Sequence, residues 1–184
     1  MKILVIGASG YIGHQLALTL AQRVNEVNVL VRNPGSIKVP RHKNIRVFTG
    51  DITDRGSITA AMYNCEEVFH TEALIKVPAK DPSEFYKVNV EGTRNVLSKG
   101  LETGIKKLVF TSSCSVLGAS QNEPGCENDP RTTQFDNDYK FTKFLAEHLV
   151  KEYIRKGLFS IIVSLSKVFG PGIETHPISV TRGN

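Results

Sequence analysis

At 184 residues the chain has room for one ordinary domain with a real core. Forty per cent of residues are apolar and 22% charged, and no apolar run is long enough for an export signal or a membrane span, so a cytoplasmic location is expected. The net charge of +5 comes from scattered Lys and Arg, which argues against a nucleic-acid partner and suits a small anionic ligand. Three cysteines, Cys65, Cys114 and Cys126, are odd in number and have no CxxC spacing. They predict reduced thiols rather than a disulfide framework or a metal site, with Cys114 buried in packing.

Residues 2–6 carry Ile3-Leu4-Val5-Ile6, the unbroken apolar run of a strand buried on both faces. A glycine turn, Gly7-Ala8-Ser9-Gly10-Tyr11-Ile12-Gly13, follows, and Ile12, Leu16 and Leu20 then recur at helical spacing. Residues 26–31 predict a second strand, closed by Arg32-Asn33-Pro34-Gly35, and 45–48 a third, running into Gly50-Asp51-Ile52-Thr53-Asp54. Thr53 or Asp54 can cap a short helix reaching about Tyr63. A fourth strand is expected at 67–70, then a helix on the stripe Val90, Thr93, Leu97 and Leu101, closed by Gly104. A fifth strand follows at 107–111. Residues 118–138, rich in Gly, Asn, Asp and Pro, read as a long loop of the kind that carries function. A helix from Tyr139 to near Gly157 and a sixth strand at 160–165 complete the series; the final dozen residues carry no convincing element.

Alternating strands and helices predict an α/β fold, a doubly wound parallel sheet, as a single domain over 1–184. Such sheets bind ligands at the carboxyl ends of their strands. The glycine turn, Arg32, Asp51, His70, Ser113 and Ser166 all fall at or just past predicted strand ends.

Gly7, Gly10 and Gly13 allow a tight turn and close approach of backbone to a pyrophosphate, which the next helix N-terminus would attract. The spacing is GxxGxxG, and a plain strand–helix turn would need the same glycines. Arg32, at the end of the second strand, stands where an acidic residue would bind the ribose 2′-hydroxyl of NAD. A guanidinium there can pair with a 2′-phosphate instead, which points to NADP(H) over NAD(H). Lys38 is a possible helper, and Asp51 is expected to face the adenine or to cap the helix that follows.

Tyr139 and Lys143 are four apart and share a helix face. Carbonyl reduction requires a proton on oxygen; a phenol of ordinary pKa ~10 releases one slowly at neutral pH. A neighbouring ammonium favours the phenolate, and a serine hydroxyl at the end of the fifth strand, Ser113, can orient the carbonyl. A YxxxK pair alone is weak, because both residue types are common on helix surfaces.

These motifs resemble, in order and over nearly the whole chain, the extended short-chain dehydrogenase/reductase family, and within it the dihydroflavonol-reductase-like NADP(H)-dependent reductases. The matching segments are Gly7–Gly13, Val31–Pro34, Gly50–Asp54, Val68–His70, Asn89–Leu97, Val109–Ser113, Tyr139–Lys143 with Leu145-Ala146-Glu147, and Val168–Gly172. The resemblance implies an NAD(P)-binding Rossmann fold and a ketone or aldehyde reductase, run in either direction, on a small-molecule substrate. It implies Tyr139 as acid/base, Lys143 as ribose ligand and modulator of Tyr139, and Ser113, rather than Ser112, as the carbonyl-orienting group, from its distance ahead of Gly118. Cofactor contacts are implied for Gly7, Gly10, Tyr11, Ile12, Gly13, Arg32, Asp51, Ile52, Thr71, Ala73, Tyr139 and Lys143. Asn89 is implied to hold a water on the lysine side, or else serves as a helix-packing amide, and two long helices are implied to pair in a homodimer.

The chain departs from the family pattern at Glu72, where a small residue is usual and a carboxylate is unfavourable near phosphates, and at Ser164-Leu165-Ser166, where Asn-Pro-Ser is common. Family members are also near twice as long, so the C-terminal substrate-binding part is expected to be missing. Two further readings stay open: an NAD-using nucleotide-sugar epimerase or dehydratase, which Arg32 disfavours, and a non-catalytic NADP(H)-binding module.

Overall fold

A computed structural model describes residues 1–23, 26–75, 81–117, 126, 133–170 and 172. Six strands, β1 (Lys2–Ile6), β2 (Glu26–Val31), β3 (Ile45–Thr49), β4 (Glu67–His70), β5 (Lys107–Ser113) and β6 (Ser160–Leu165), form one parallel sheet. Their order is β3-β2-β1-β4-β5-β6, the doubly wound arrangement, so strand order reverses between β1 and β4. All carboxyl ends lie along one edge of the sheet, and the reversal opens a crevice there.

The interiors of β1 and β2 are largely apolar because both faces of the sheet are covered there. Leu4, Ile6, Val68, Leu108 and Phe110 pack on one face with residues of α2 (Arg55–Met62), α4 (Thr93–Thr103) and α5 (Asp138–Arg155). Ile3, Val5, Val27, Val29 and Val31 pack on the other with Ala17 and Ala21 of α1 (Tyr11–Gln22). Full burial of side chains of this size stabilises by roughly 1.5–3 kcal/mol each. Asn28 is buried on β2, its amide donating to Ala61 O at 2.6 Å. That bond satisfies a polar group inside the sheet.

Helix ends follow the sequence signals. Asp54 accepts from Gly56 N at 2.9 Å and Ser57 N at 3.1 Å, capping α2. Asn137 accepts from Lys140 N at 2.9 Å, capping α5. Gly104 ends α4 at φ +65, a left-handed conformation that glycine adopts without a Cβ clash. Between α3 (Ser83–Phe85) and α4 the helix widens to π form over Tyr86–Gly92. Beyond it Thr93, Val96, Leu97 and Gly100 are inside, while Leu101, expected in the stripe, is 37% exposed. Most of the expected loop (118–125 and 127–132, with Gly118) and the final dozen residues (173–184) lie outside the described residues.

Candidate functional site

At the carboxyl edge, β1 turns through Gly7 at φ +85, and Gly10 N donates to Gly7 O at 2.9 Å. A Cβ on Gly7 would lie 2.7 Å from Glu72 N and Thr71 Oγ1, and one on Gly13 would collide with Gly7 O and Thr71 Oγ1. The glycines therefore let α1 start hard against the ends of β1 and β4. No side chain caps α1 at Gly10, and its first turn holds no acidic residue, which leaves the helix N-terminus open to an anion. This cradle fits the pyrophosphate of a dinucleotide. Thr71 Oγ1 donates to Ile6 O at 2.7 Å, closing the seam between β4 and β1 beneath it. Ile12 and Ala73 are half-buried at its rim. The Tyr11 hydroxyl donates to Gly170 O, and a Cβ on Gly172 would meet the Tyr11 ring at 2.6 Å, so the chain after β6 crosses the mouth of the cradle.

One end of the crevice is lined by Ile6, Ser9, Arg32, Asp51, Glu72 and Val88. The Arg32 side chain is 68% exposed; its Nε lies 3.9 Å from Asp51 Oδ2 and its Nη2 3.8 Å from Glu72 Oε1. Glu72 thus turns toward the guanidinium. Burial pushes its carboxyl above the usual carboxylate range, against the opposing pull of Arg32. Asp51 Oδ1 accepts from Thr53 N and Thr53 Oγ1, both at 2.8 Å, which fixes the loop after β3. Ile52 is buried against Gly92, where a Cβ would lie 2.5 Å from Ile52 Cδ1.

At the other end of the same edge, Ser113 is the last residue of β5 and Tyr139 lies in the first turn of α5. Burial raises the Tyr139 phenol pKa, and a hydrogen bond with Ser113 works in the opposite direction. The Ser113 hydroxyl also lies 2.9 Å from Ser115 Oγ. Ser112 points to the other face, donating to buried Glu147 Oε2 at 2.8 Å. Strand alternation alone separates the two serines.

Lys143 is 3% exposed. Its Nζ donates to Thr111 O at 2.7 Å and sits 4.1 Å from the centroid of the Phe110 ring. Desolvation pushes its pKa down to about 7, opposed by Glu147. The expected lowering of the Tyr139 pKa by Lys143 is not what this geometry yields. Burial dominates at the phenol, and the ammonium is turned to the β5 carbonyl. An ammonium has three donor hydrogens, so that bond leaves others for a ligand.

His70 closes β4, as expected, and its side chain is fully buried, its Nε2 3.0 Å from Thr93 Oγ1 and its ring edge-on to Phe110. Cys114 is exposed rather than packed, because it follows the last residue of β5 in a 3-10 turn (Cys114–Val116). Asn89, implied to hold a water or to act as a packing amide, bonds through its amide to protein. Oδ1 accepts from Leu74 N at 2.7 Å, and Nδ2 donates to Leu74 O at 3.1 Å and Thr142 Oγ1 at 3.0 Å. Asn89 therefore ties the segment after β4 to the helix that carries Tyr139 and Lys143. The Asn89–Thr142 pairing, 53 residues apart, leaves no local sequence signal.

The pattern of the NAD dependent epimerase/dehydratase family matches residues 3–182. The 3-beta-hydroxysteroid dehydrogenase of Mycolicibacterium neoaurum is 32% identical over 182 residues, covering 95% of this chain and 49% of that protein. The dihydroflavonol 4-reductase of Gerbera hybrida is 31% identical over 131 residues, covering 66% of this chain and 36% of that one. The crystal structure of the Thermus thermophilus UDP-glucose 4-epimerase in complex with NAD superposes with a TM-score of 0.77 at 28% identity, over 89% of this chain and 54% of that one. The chain spans about half the length of the first curated relatives it matches.

Proposed function

This chain belongs to the NAD dependent epimerase/dehydratase family, and from that premise we propose that it binds NADP(H) in preference to NAD(H). In the protein of which it forms all or part, we infer that it interconverts a ketone or aldehyde with the corresponding alcohol. The observation that carries this reading is the shared sheet edge: an uncapped glycine cradle follows β1, an exposed Arg32 follows β2, and Ser113 ends β5 beside the Tyr139 phenol. When bound, the dinucleotide supplies the hydride.

The chain's own groups supply the rest. The α1 N-terminus and the backbone around Gly7 and Gly10 take the pyrophosphate, and Arg32 takes the 2′-phosphate. Ser113 donates a hydrogen bond to the substrate oxygen. The raised pKa of Tyr139 keeps its phenol protonated at neutral pH, the state able to give a proton to that oxygen in the reductive direction. Lys143, one helical turn along, holds the ribose and lends positive charge as the phenolate forms.

Tyr139→Phe is expected to lower turnover at least ~100-fold while leaving NADPH affinity, followed by nucleotide fluorescence, within about twofold. The substrate panel should include 3-hydroxysteroids, named by the hydroxysteroid dehydrogenase relative, and simple ketones. Turnover untouched by the substitution would refute the mechanism. A second reading, an NAD-using nucleotide-sugar epimerase, draws on the carboxylates beside Arg32 and on the NAD complex of the Thermus epimerase. A clear preference for NAD over NADP, with turnover of a UDP-sugar, would favour it.

A further inference from the structure

The adenosine end of the crevice is built of opposed charges. Arg32, from the end of β2, stands between Asp51, from the end of β3, and Glu72, from the end of β4. The two carboxylates differ in what holds them. Asp51 shares its load with Thr53, whose N–H and hydroxyl both donate to Oδ1. Glu72 Oε1 reaches only as far as 3.8 Å from Arg32, a charge contact without the length of a good hydrogen bond. The backbone that carries Glu72 is fixed at the turn, since its N packs so closely on Gly7 that a Cβ there would lie 2.7 Å away. The guanidinium that would receive a 2′-phosphate thus already faces a largely buried carboxylate.

We propose that Glu72 is a specificity-determining residue: it competes with a 2′-phosphate for Arg32, and it weakens discrimination in favour of phosphorylated nucleotide for as long as it is ionised. This rests on the reading that the crevice takes a nicotinamide dinucleotide. It adds that the choice between the two forms is set by a carboxylate rather than by Arg32 alone, and that the choice is proton-linked. The charged groups facing Glu72 are Arg32, which favours its ionised form, and Asp51, which opposes it. With burial, Asp51 helps to keep the Glu72 carboxyl above the usual carboxylate range, so a proton is taken up there more readily than at an exposed glutamate. Once protonated, Glu72 ceases to repel a phosphate and Arg32 is released to it.

The test measures dissociation constants by calorimetry for 2′,5′-ADP and 5′-ADP, which carry the distinguishing groups and undergo no turnover. At neutral pH, Glu72→Gln is expected to tighten 2′,5′-ADP about tenfold, the size of one charge interaction across several ångströms of partly exposed surface. Binding of 5′-ADP should change less than about twofold over the same substitution, since the same charge bears on it only weakly. Glu72→Ala serves as the second variant and should shift the ratio the same way. The advantage of Glu72→Gln over the unaltered chain should shrink as pH falls through the carboxyl's titration, because both then carry a neutral side chain. The phosphate's own titration, near ~6, also weakens its repulsion by ionised Glu72, so the Glu72 carboxyl is titrated directly by carbon-13 NMR and the advantage must shrink with that midpoint. An unchanged ratio in both variants, with binding intact, overturns the role of Glu72 and leaves the nucleotide-binding reading standing. A ratio gap that stays constant with pH overturns the proton link. Failure of the unaltered chain to bind either nucleotide, or NADPH and NADH, overturns this inference and the nucleotide-binding reading together.

Discussion

Lys143 and His70 are ionisable groups held where water does not reach, 3% and 0% exposed. Desolvation moves the pKa of both downward, Lys143 to about 7 and His70 to about 3, with Lys143 adding a second, smaller push on His70. Below its unfolded value each group binds more protons in the unfolded chain than in the folded one, so stability rises with pH across the interval. For Lys143 that interval runs from about 7 to 10.5, and for His70 from about 3 to 6.5. Unfolding free energy from urea titrations is therefore expected to fall as pH drops through each interval, by an amount on the order of a few kcal/mol. Lys143→Met should flatten the upper slope and raise stability at neutral pH, since a buried charge gives way to an apolar chain of similar length. His70→Leu should flatten the lower slope; its Nδ1 has no hydrogen-bond partner among the described residues, but losing Nε2 leaves the buried Thr93 hydroxyl without that contact, so overall stability should fall by about 1–3 kcal/mol. A stability profile with no change of slope in Lys143→Met would mean that the amine is charged and solvated in the folded chain.

Between the strands, the site is held by elements that differ in how far sequence discloses them. The alternation of apolar strands with capped helices is local, and the sheet, the Asp54 cap and the Gly104 terminus follow from it. The π-helical turn at Tyr86–Gly92 was not legible, because its residues are as compatible with an α-helix and the widening is set by tertiary contacts. The direction of Lys143 was hidden for a similar reason: spacing places it one turn from Tyr139, but burial over Phe110 decides where Nζ points. The Arg32–Asp51–Glu72 cluster was readable as three residues at strand ends, whereas its mutual geometry depends on the sheet order. Asn89 is the strongest case, since one amide joins the π turn, the segment after β4 and α5. Asn89→Ala leaves Leu74 N and O without this partner in a part-buried setting. It is expected to cost about 2–3 kcal/mol, read as a lower urea midpoint, and to speed hydrogen exchange at Leu74. An unchanged midpoint would show that water replaces the amide without loss.

Across the whole molecule, the two faces of the sheet are covered unequally. Parallel register lines up Val5, Phe69, Val109 and Ile161 on β1, β4, β5 and β6, and side-chain alternation puts them on the face that α1 covers. Along that row cover thins: Val5 is fully buried, Phe69 and Val109 are half-buried, and Ile161 is 43% exposed. Val163, two residues on, is 37% exposed, and Phe159 just before the strand 62%. One helix, α1, cannot span six strands, since strands lie about 4.8 Å apart and a helix is about 10 Å wide. The result is an apolar strip along the β6 edge of a chain that spans about half the length of its first curated relatives. Contiguous apolar surface of this kind binds hydrophobic dyes and promotes association. Ile161→Thr with Val163→Thr keeps β-branched residues in the strand while removing apolar surface. The double variant is expected to lower dye fluorescence and to shift sedimentation toward the smallest species. Its stability should move by less than about 0.5 kcal/mol per site, as for surface positions. A loss of several kcal/mol would instead place both side chains in a packed interior, and the face would have to be covered in solution.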